Sequence, residues 1–436
     1  MATDGSMVVA GSTGSFGGGA SDIYLLNIDG AGAVLWTRTI GGPAIEQARD
    51  LILLQDGGLL VVGVTNDTGG NGYDGLLVRT DENGNTLWQR RYGGSDWDFF
   101  NKGVQLADGS YLVVGQTFST GVGGDIWLMH IGEDGEALWS VNFGGGGLDT
   151  GEGIAIAPDG GYILAGSMTG PEGGVDAYAL KLDAQMAMEW ESLVGGDGTD
   201  VARDVVCTLD GGYSFVGGTS SYEEFMEHLH FKLDGNGALV WERHWGQVGA
   251  QEAYEHIALA SGGYATAGWT TTSGGGRRDM FLFLCDDQGQ FISQRTYGGS
   301  EDDEGYSIAQ ANDGFVVCGM TRSYGAGNTD VFVVRTDSSG ATESETVSTH
   351  FDPLVVQLNE RGDQPTIYPN PSTGVIQVTD PRWQEITLFD GEGKVVLKAP
   401  LAGALDLHVL RTGPYMVALK DHGGNMGLGR LILIKP

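Results

Sequence analysis

The sequence predicts an all-β protein, made of a seven-bladed β-propeller followed by a small immunoglobulin-like β-sandwich. Three observations lead to this prediction. A unit of 51 or 52 residues recurs seven times, each unit holds four short apolar segments, and the repeat stops before a C-terminal region of different composition. Between residues 1 and 350 the sequence has no helical periodicity of useful length.

Three anchors define the repeat, and all three keep the same spacing. The first is a turn of the type Asp-Gly-Gly-Tyr, which starts at Asp4, Asp56, Asp108, Asp159, Asp210, Ser261 and Asp313. The second is the last residue of a D-x-x-G-x-x-x-W element, at Trp36, Trp88, Trp139, Trp190, Trp241, Ser293 and Ser344. The third is an acidic residue before an apolar triplet, at Asp22, Asp74, Asp125, Asp176, Glu227, Asp279 and Asp330.

Each unit contains four predicted strands joined by tight turns. In the second copy the strands are residues 48–55, 59–65, 75–80 and 86–92, which are apolar runs bounded by Gly, Asp or Asn. A lone four-stranded sheet leaves both faces uncovered and must stack on copies of itself, as the blades of a propeller do. We expect the repeated Trp of the fourth strand to fill the gap between neighbouring blades.

The chain opens at the second strand of a blade, so the ring needs a first strand from elsewhere. Residues 351–358 are apolar and could supply it, which would close the ring without an open edge. We therefore assign residues 1–358 to the propeller, 359–366 to a linker and 367–436 to the C-terminal domain. The alternative is that upstream sequence is missing.

Composition narrows the class of partner. The 436 residues carry a net charge of −34, which disfavours binding to nucleic acid or to anionic membrane surfaces. The three cysteines are far apart and suggest neither a disulfide framework nor a zinc site. No apolar run is long enough to span a membrane. The first residues lack the features of a signal peptide, so we expect the N-terminus to be truncated.

Four motifs near the C-terminus carry a family resemblance. They are Tyr368-Pro369-Asn370-Pro371-Ser372-Thr373-Gly374, residues 388–394 ending in Gly393-Lys394, residues 407–415 with Leu410, Gly413 and Tyr415, and a terminal Ile434-Lys435. This region resembles the type A C-terminal sorting domain of type IX secretion. The resemblance implies that residues 367–436 engage the type IX machinery of Bacteroidota-type bacteria, and that the protein is secreted or displayed on the outer membrane. The repeats resemble bacterial propeller repeats with few assigned activities.

Acidic residues form one candidate binding feature. They are Glu46, Asp98, Asp149, Asp200 and Asp303, each four residues beyond the second Gly of a Gly-Gly turn, with Gln251 in the remaining copy. Such a ring of carboxylates near the channel mouth could bind calcium, the one cofactor we leave open. Alternatively, each carboxylate caps a turn in its own blade. His228 and His230 share one strand face, but a third metal ligand is not evident.

Loop aromatics form the second candidate feature, and we single out Trp97, Tyr222 and Tyr324 for binding. With Asp98, Asp149, Asp200 and Asp303 they make up the predicted site, and no residue is predicted to be catalytic. We expect a non-enzymatic module that binds a glycan or a protein at the bacterial surface. The alternative is a polysaccharide hydrolase or lyase with its site at the mouth of the propeller channel.

Overall fold

The computed structural model shows an all-β chain and describes most of the repeat region. The described ranges there are residues 5–66, 72–121, 123–170, 174–246, 249–325 and 328–342. In the C-terminal region they are residues 367–368, 375–378, 383–389, 394–401, 404–411, 413–421 and 426–433. These ranges contain 33 strands and no helix, and hence no helix that could cross a membrane. The chain divides into two compact units, residues 1–349 and 350–436.

Seven antiparallel sheets follow one another along the first unit, each with its strands in chain order. Sheet I contains β1 (Met7–Thr13), β2 (Asp22–Ile28) and β3 (Val34–Ile40). Sheet II contains β4 (Glu46–Leu53), β5 (Leu59–Thr65), β6 (Asp74–Thr80) and β7 (Thr86–Tyr92). Sheet III contains β8 (Asp98–Gln105), β9 (Tyr111–Thr117), β10 (Asp125–Ile131) and β11 (Ala137–Phe143). Sheet IV contains β12 (Thr150–Ile156), β13 (Tyr162–Thr169), β14 (Val175–Leu182) and β15 (Met188–Val194).

The remaining sheets repeat this arrangement. Sheet V contains β16 (Asp200–Cys207), β17 (Tyr213–Thr219), β18 (Glu227–Leu233) and β19 (Leu239–Trp245). Sheet VI contains β20 (Gln251–Ala258), β21 (Tyr264–Thr270), β22 (Asp279–Cys285) and β23 (Phe291–Tyr297). Sheet VII contains β24 (Asp303–Gln310), β25 (Gly314–Thr321) and β26 (Asp330–Asp337). The seven sheets confirm the predicted blades.

The hydrophobic core lies between the sheets. Seven apolar clusters each combine side chains of two neighbouring sheets, one cluster for every boundary of the ring. The cluster between sheets VII and I contains Met7 and Ile28 together with Ala311 and Val316. The Arg335 guanidinium of sheet VII also donates to a backbone carbonyl in the last turn of sheet I. The ring therefore closes by packing, while the predicted closing strand 351–358 lies outside the described residues.

Position within a sheet decides how each strand is buried. Strands β5, β6, β9, β17, β18, β21 and β22 are buried at every residue. The fourth strands are largely exposed and form the rim, as β7 and β11 show. The first strands lie innermost around a central channel. The loops that enter the first strands and those that join second to third strands leave from one end of the sheets, which we call the upper face.

Where the fourth strand carries the repeated Trp, its ring packs that blade onto the next, whereas sheet VI has Ser293 at this position. The Trp88 ring lies over the backbone at Gly135, where a Cβ would come within 3.2 Å of the indole. Gly135 has a φ of +83°, a conformation that glycine adopts without strain. The indole Nε1 of Trp88 also donates to the Glu133 carbonyl at 3.2 Å. Trp190 and Trp241 make the equivalent hydrogen bonds to the next blade, at 3.1 and 3.3 Å.

A single lysine closes the central channel. Lys102 of β8 reaches across from sheet III to sheets V and VI, where its Nζ lies 2.9 Å from Asp204 Oδ1 and 2.7 Å from Glu255 Oε1. Burial opposes the charge on this lysine, but Asp204, Glu255 and then Asp50 raise its pKa well above the ordinary value. Burial in turn raises the pKa of Asp50. One ammonium group therefore balances carboxylates from three other blades and forms the floor beneath the upper face.

The second unit contains two small sheets. One consists of β27 (Ile367–Tyr368), β28 (Val375–Val378) and β31 (Leu405–Asp406). The other consists of β29 (Trp383–Phe389), β30 (Val395–Pro400), β32 (Gly413–Asp421) and β33 (Met426–Leu433), in the order β30-β29-β32-β33. Ile376 and Leu407 of the first group share one core with Ile386, Leu388 and Val417 of the second.

The Trp contact between blades should carry measurable stability. We expect Trp88→Ala to lower the free energy of unfolding by roughly 2–4 kcal/mol, because it leaves a cavity against the next blade. Leu87→Ala is the matched control, since Leu87 is 60% exposed on the same strand and should change stability by less than about 0.5 kcal/mol. Urea unfolding followed by Trp fluorescence and circular dichroism would measure both. Equal effects of the two substitutions would contradict the assigned role of the Trp.

The lysine at the channel floor should matter far more than other buried lysines. We expect Lys102→Met to destabilise the protein by about 3–5 kcal/mol, because it leaves buried carboxylates without their positively charged partner. Burial raises the pKa of Asp50, and without the ammonium group it would favour the protonated form of this carboxyl still more, so the deficit should grow as pH rises and shrink towards acid pH.

Lys232→Met is the control for this experiment. Lys232 is also buried, but its partner Asp210 is 62% exposed and can be hydrated when the lysine is lost. We expect a cost of about 1 kcal/mol or less for Lys232→Met. Similar urea midpoints for the two variants, or a deficit that grows on acidification, would contradict the assignment.

Candidate binding site at the channel mouth

Every described first strand carries a one-residue bulge near its upper end. The ladder to the second strand skips one residue in each of β4, β8, β12, β16, β20 and β24. The bulged residues are Arg49, Asn101, Glu152, Arg203, Tyr254 and Tyr306. Bulges re-aim side chains and are frequent beside functional sites. Here they turn polar and aromatic groups towards the channel mouth.

Arg203 ties three blades together at the mouth. Its guanidinium donates to Glu152 Oε1 of sheet IV at 3.0 Å and to Glu252 Oε1 of sheet VI at 2.9 Å. The same group lies 5.7 Å from the ring centroid of Tyr254. Burial opposes its charge, but Glu152 and Glu252 raise the pKa of Arg203 above its ordinary value. These contacts fix a charged group in a set position on one side of the mouth.

The network continues into sheets VI and VII. Arg278 donates to Glu304 Oε1 at 2.6 Å, and its guanidinium stacks over Trp269 at 4.2 Å from the ring centroid. Tyr306 donates to Glu304 Oε2 at 2.8 Å. The rings of Tyr254 and Tyr306 meet edge to face at 5.3 Å. We call this set the mouth cluster: Glu152, Arg203, Glu252, Tyr254, Trp269, Arg278, Glu304 and Tyr306.

The mouth cluster is suited to holding a ligand through hydrogen bonds and ring faces. Each of its arginines is matched by at least one carboxylate, so the cluster has little net charge to offer. Burial, and then Glu304, raise the pKa of Tyr306 far above its ordinary value. The Tyr306 hydroxyl therefore stays protonated at neutral pH and acts as a donor instead of a nucleophile.

Beneath the mouth, Asp204, His256 and Ser214 are arranged in the order of a hydrolase triad. Asp204 Oδ2 lies 2.9 Å from His256 Nδ1, and His256 Nε2 lies 3.1 Å from Ser214 Oγ. Ser214 Oγ also lies 2.7 Å from Nε2 of His230. Ser214 has no exposed surface and lies within the packed boundary of sheets V and VI. A substrate could not reach its hydroxyl, so these bonds hold the two sheets together.

His228 and His230 do not acquire a metal-ligand set from the fold. His228 is fully buried against Trp245 and Phe283, with no hydrogen-bond partner for either ring nitrogen in the described structure. Burial lowers its pKa to about 3, so the ring is neutral. Across the described ranges, no three His, Cys, Asp or Glu side chains come together in a geometry that would hold a metal ion.

The predicted acidic site residues are buried at the blade boundaries. Asp98, Asp149, Asp200 and Asp303 are each at most 1% exposed. Each accepts a hydrogen bond from a backbone N–H of its own Gly-Gly turn at 2.7–2.9 Å, the donors being Gly94, Gly145, Gly196 and Gly299. The other described hydrogen bonds of these carboxylates come from the ends of the second strands and the loops that follow, as Thr117 and Ser119 donate to Asp98, and none comes from the mouth cluster.

The predicted aromatic residues belong to loops of three different blades. Trp97, in the loop before β8, is 47% exposed, and its ring centroid lies 5.8 Å from that of Tyr73 and 6.0 Å from that of Phe99. Tyr222 of sheet V stacks on His244 at 4.3 Å and donates to Glu242 at 2.5 Å. The hydroxyl of Tyr324 in sheet VII donates to the Gly298 carbonyl at 2.8 Å. Only Trp97 thus becomes part of an exposed aromatic cluster.

Some sorting-motif residues can be placed in the second unit. Tyr415 is 7% exposed, and its hydroxyl donates to the Arg411 carbonyl at 2.8 Å. Leu410 packs on the core, Gly413 begins β32, and Tyr368 ends β27. Lys394 is exposed just before β30. Pro369, Asn370, Pro371, Gly374 and Gly393 lie outside the described residues.

The mouth cluster was not predicted from the sequence, although the sequence contains a signal for it. Aligned by the repeat, the fourth residue of each first strand is the bulged position, and it varies between Arg, Asn, Glu and Tyr. The acidic residue at the start of the same strand hardly varies. A variable position on a constant scaffold is where a repeat protein can adapt to a ligand.

Comparison with known proteins identifies a family for the C-terminal part of the chain. Residues 366–433 match the family model of the secretion system C-terminal sorting domain. No curated protein matches the chain. The WD40 domain of Neurospora crassa Pan2 aligns with 73% of this chain and 93% of its own, with 11% identity and a TM-score of 0.46.

Two further solved structures align with the chain. A mutant of puromycin hydrolase aligns with 96% of this chain at 13% identity and a TM-score of 0.50, and the alignment spans 57% of the hydrolase. The extracellular domain of a hybrid two-component system from B. thetaiotaomicron aligns with 98% of this chain and 55% of its own, at 10% identity and a TM-score of 0.39. At these identities the likeness concerns the fold alone. The chain is a β-propeller repeat protein that carries a secretion system C-terminal sorting domain.

Proposed function

We propose that this protein is exported by type IX secretion and acts at the cell surface or outside the cell as a non-enzymatic module that binds an uncharged glycan on its upper face. The sorting domain supports export, since residues 366–433 match that family. The binding role rests on the cluster of Tyr73, Trp97 and Phe99.

The aromatic cluster offers a surface of the kind that sugars bind. Tyr73 and Phe99 lie nearly parallel, with their centroids 5.9 Å apart, and Trp97 stands edge-on to both. Phe99 is the second residue of β8, beside the bulged Asn101 of the channel wall. The C–H faces of a sugar ring pack on such aromatic surfaces, while neighbouring amides and hydroxyls bind its polar edge.

Charge favours an uncharged ligand over an acidic one. The chain carries a net charge of −34, and the arginines of the mouth cluster are already matched by glutamates. An acidic polysaccharide would be repelled at long range and would have to displace these ion pairs. A neutral glycan meets neither obstacle.

A polysaccharide hydrolase or lyase remains the alternative, because Glu252 and Glu304 both lie at the mouth. A glycosidase needs one carboxylic acid that carries a proton and one free carboxylate. Glu304 instead accepts hydrogen bonds from Arg278 and Tyr306, and Glu252 accepts two from Arg203. Both carboxylates are thus engaged by donors of the mouth cluster, which favours binding without turnover.

Binding to a panel of polysaccharides tests this proposal on the full chain. We expect calorimetry or affinity electrophoresis to detect binding to at least one neutral β-glucan, xylan or mannan, and not to alginate or polygalacturonate. Trp97→Ala should weaken that binding roughly tenfold or more, since buried aromatic anchors dominate such contacts. Leu138→Ala, which removes a side chain that is 56% exposed on an outer strand, is the control.

Two results would overturn the proposal. The first is that no neutral polysaccharide binds, or that Trp97→Ala binds as well as Leu138→Ala. The second is the release of reducing or unsaturated ends from a bound polysaccharide, which would support the hydrolase or lyase instead.

A further inference from the structure

Two rows of acidic residues, separate in the sequence, meet at the boundaries between blades. One row starts the third strands and the other starts the first strands of the following blades. The pairs are Asp22 with Glu46, Asp74 with Asp98, Asp125 with Asp149, Asp176 with Asp200, and Asp279 with Asp303. This repeated pairing involves no residue of the mouth cluster, and only the Asp74–Asp98 pair adjoins the proposed glycan site.

The same glycine lies under both members of each pair. A Cβ placed on Gly195 would lie less than 3.0 Å from an oxygen of Asp176 and from an oxygen of Asp200. The same holds at Gly41, Gly93, Gly144 and Gly298. The absent side chain therefore leaves room for two carboxylates to face each other.

Asp176 is half-buried and the other nine carboxylates are buried, and oxygens in two of the pairs lack partners. Asp74 is 5% exposed, and its Oδ1, the atom that faces Asp98 across Gly93, has no hydrogen-bond partner in the described structure. Asp200 has no exposed surface, and its Oδ1 also lacks a partner there. A buried oxygen without a donor costs free energy, so its presence points to a group that binds it.

Positive side chains account for little of this charge. Arg91 pairs with Asp74 at 3.1 Å, but among the described residues no Lys or Arg pairs with Asp176, Asp200, Asp279 or Asp303. Burial, and then the facing carboxylate, raise the pKa of both Asp176 and Asp279. Two facing buried carboxylates repel each other unless a cation or a proton lies between them.

One boundary departs from the pattern in an informative way. Between sheets V and VI the second acid is replaced by Gln251, and the remaining Glu227 accepts from His244 Nδ1 at 2.8 Å. At the boundary where one carboxylate is absent, a histidine of the protein itself binds the remaining carboxylate. The complete pairs therefore behave as sites completed by something outside the chain.

We propose that the paired carboxylates at the blade boundaries bind hard divalent cations of the Ca²⁺ class. Ca²⁺ prefers carboxylate and carbonyl oxygens and accepts irregular coordination completed by water. The loops supply carbonyls nearby, since the backbone oxygens of Gly299 and Glu301 approach Gly276 beside the Asp279 pair. Calcium then belongs between blades, and not in a ring of first-strand acids around the channel.

Thermal unfolding of the full chain after chelation tests the proposal. We expect added CaCl₂ to raise the Tm by about 5 °C or more in a saturable way, beyond the effect of NaCl at equal ionic strength. Asp176→Asn and Asp279→Asn should each reduce the Ca²⁺-dependent part of the shift. Asp197→Asn is the matched control, because Asp197 is an exposed acid in the same loop as Asp200 and should leave the shift unchanged.

A second measurement avoids dependence on the folding of the variants. Tb³⁺ luminescence sensitised by the aromatic residues should appear with the wild-type chain and be displaced by Ca²⁺. The proposal would be overturned by the absence of Ca²⁺-displaceable Tb³⁺, or by equal Tm shifts in Asp176→Asn and Asp197→Asn. It would also be overturned if mild acid alone raised the Tm and Ca²⁺ had no effect, because each pair would then share a proton.

Discussion

Every blade of this propeller depends on having both of its faces covered by its neighbours. In sheets II and V, for example, the second and third strands are buried at every residue, so a single sheet in water would expose two apolar faces. The seven cores lie between sheets, and the boundary of sheets VII and I closes the circle. The Trp rings that rest on the glycine turns extend this packing to the rim, as Trp88 does on Gly135. Strand positions are thereby fixed, and variation is confined to the channel wall and the loops.

The ring also determines which charges meet. Arg203 and Glu152 are 51 residues apart, which is one repeat, while Lys102 lies 102 residues from Asp204 and 153 from Glu255. Equivalent positions on innermost strands converge on the axis, so residues separated by whole periods become neighbours. A lysine in one blade can then form ion pairs with carboxylates of several other blades. The ion pairs at the channel follow from the symmetry of the ring.

The sequence was sufficient to predict the blades, the turns and the sorting motifs, because each depends on local patterns that recur. Strand β5 and the turn before it could be read from residues 56–65 alone. The mouth cluster could not. One period predicts that Glu152 and Arg203 approach each other, but not that Glu252, which lies 49 residues from Arg203 and outside the bulge, binds the same guanidinium. The pairing of Asp176 with Asp200 was missed for a related reason. It depends on how the third strand of one blade packs beside the first strand of the next, which no repeat within one blade reveals.

The repeats differ from one another mainly at positions where a substitution does not disturb the packing between blades. Between sheets V and VI an acid becomes Gln251, the rings of His228, His230 and His256 lie close together, and Tyr254 enters the channel wall, yet β17, β18, β21 and β22 stay fully buried. A change in those central strands would disturb two apolar boundaries at once, whereas a change at a bulge alters only what the mouth presents. Departures from repeat consistency are expected at functional or strained sites. This separation lets one scaffold keep its stability while the upper face diverges, and it explains why glycan recognition is assigned to loops and bulges, and cation binding to the boundaries that keep both acids.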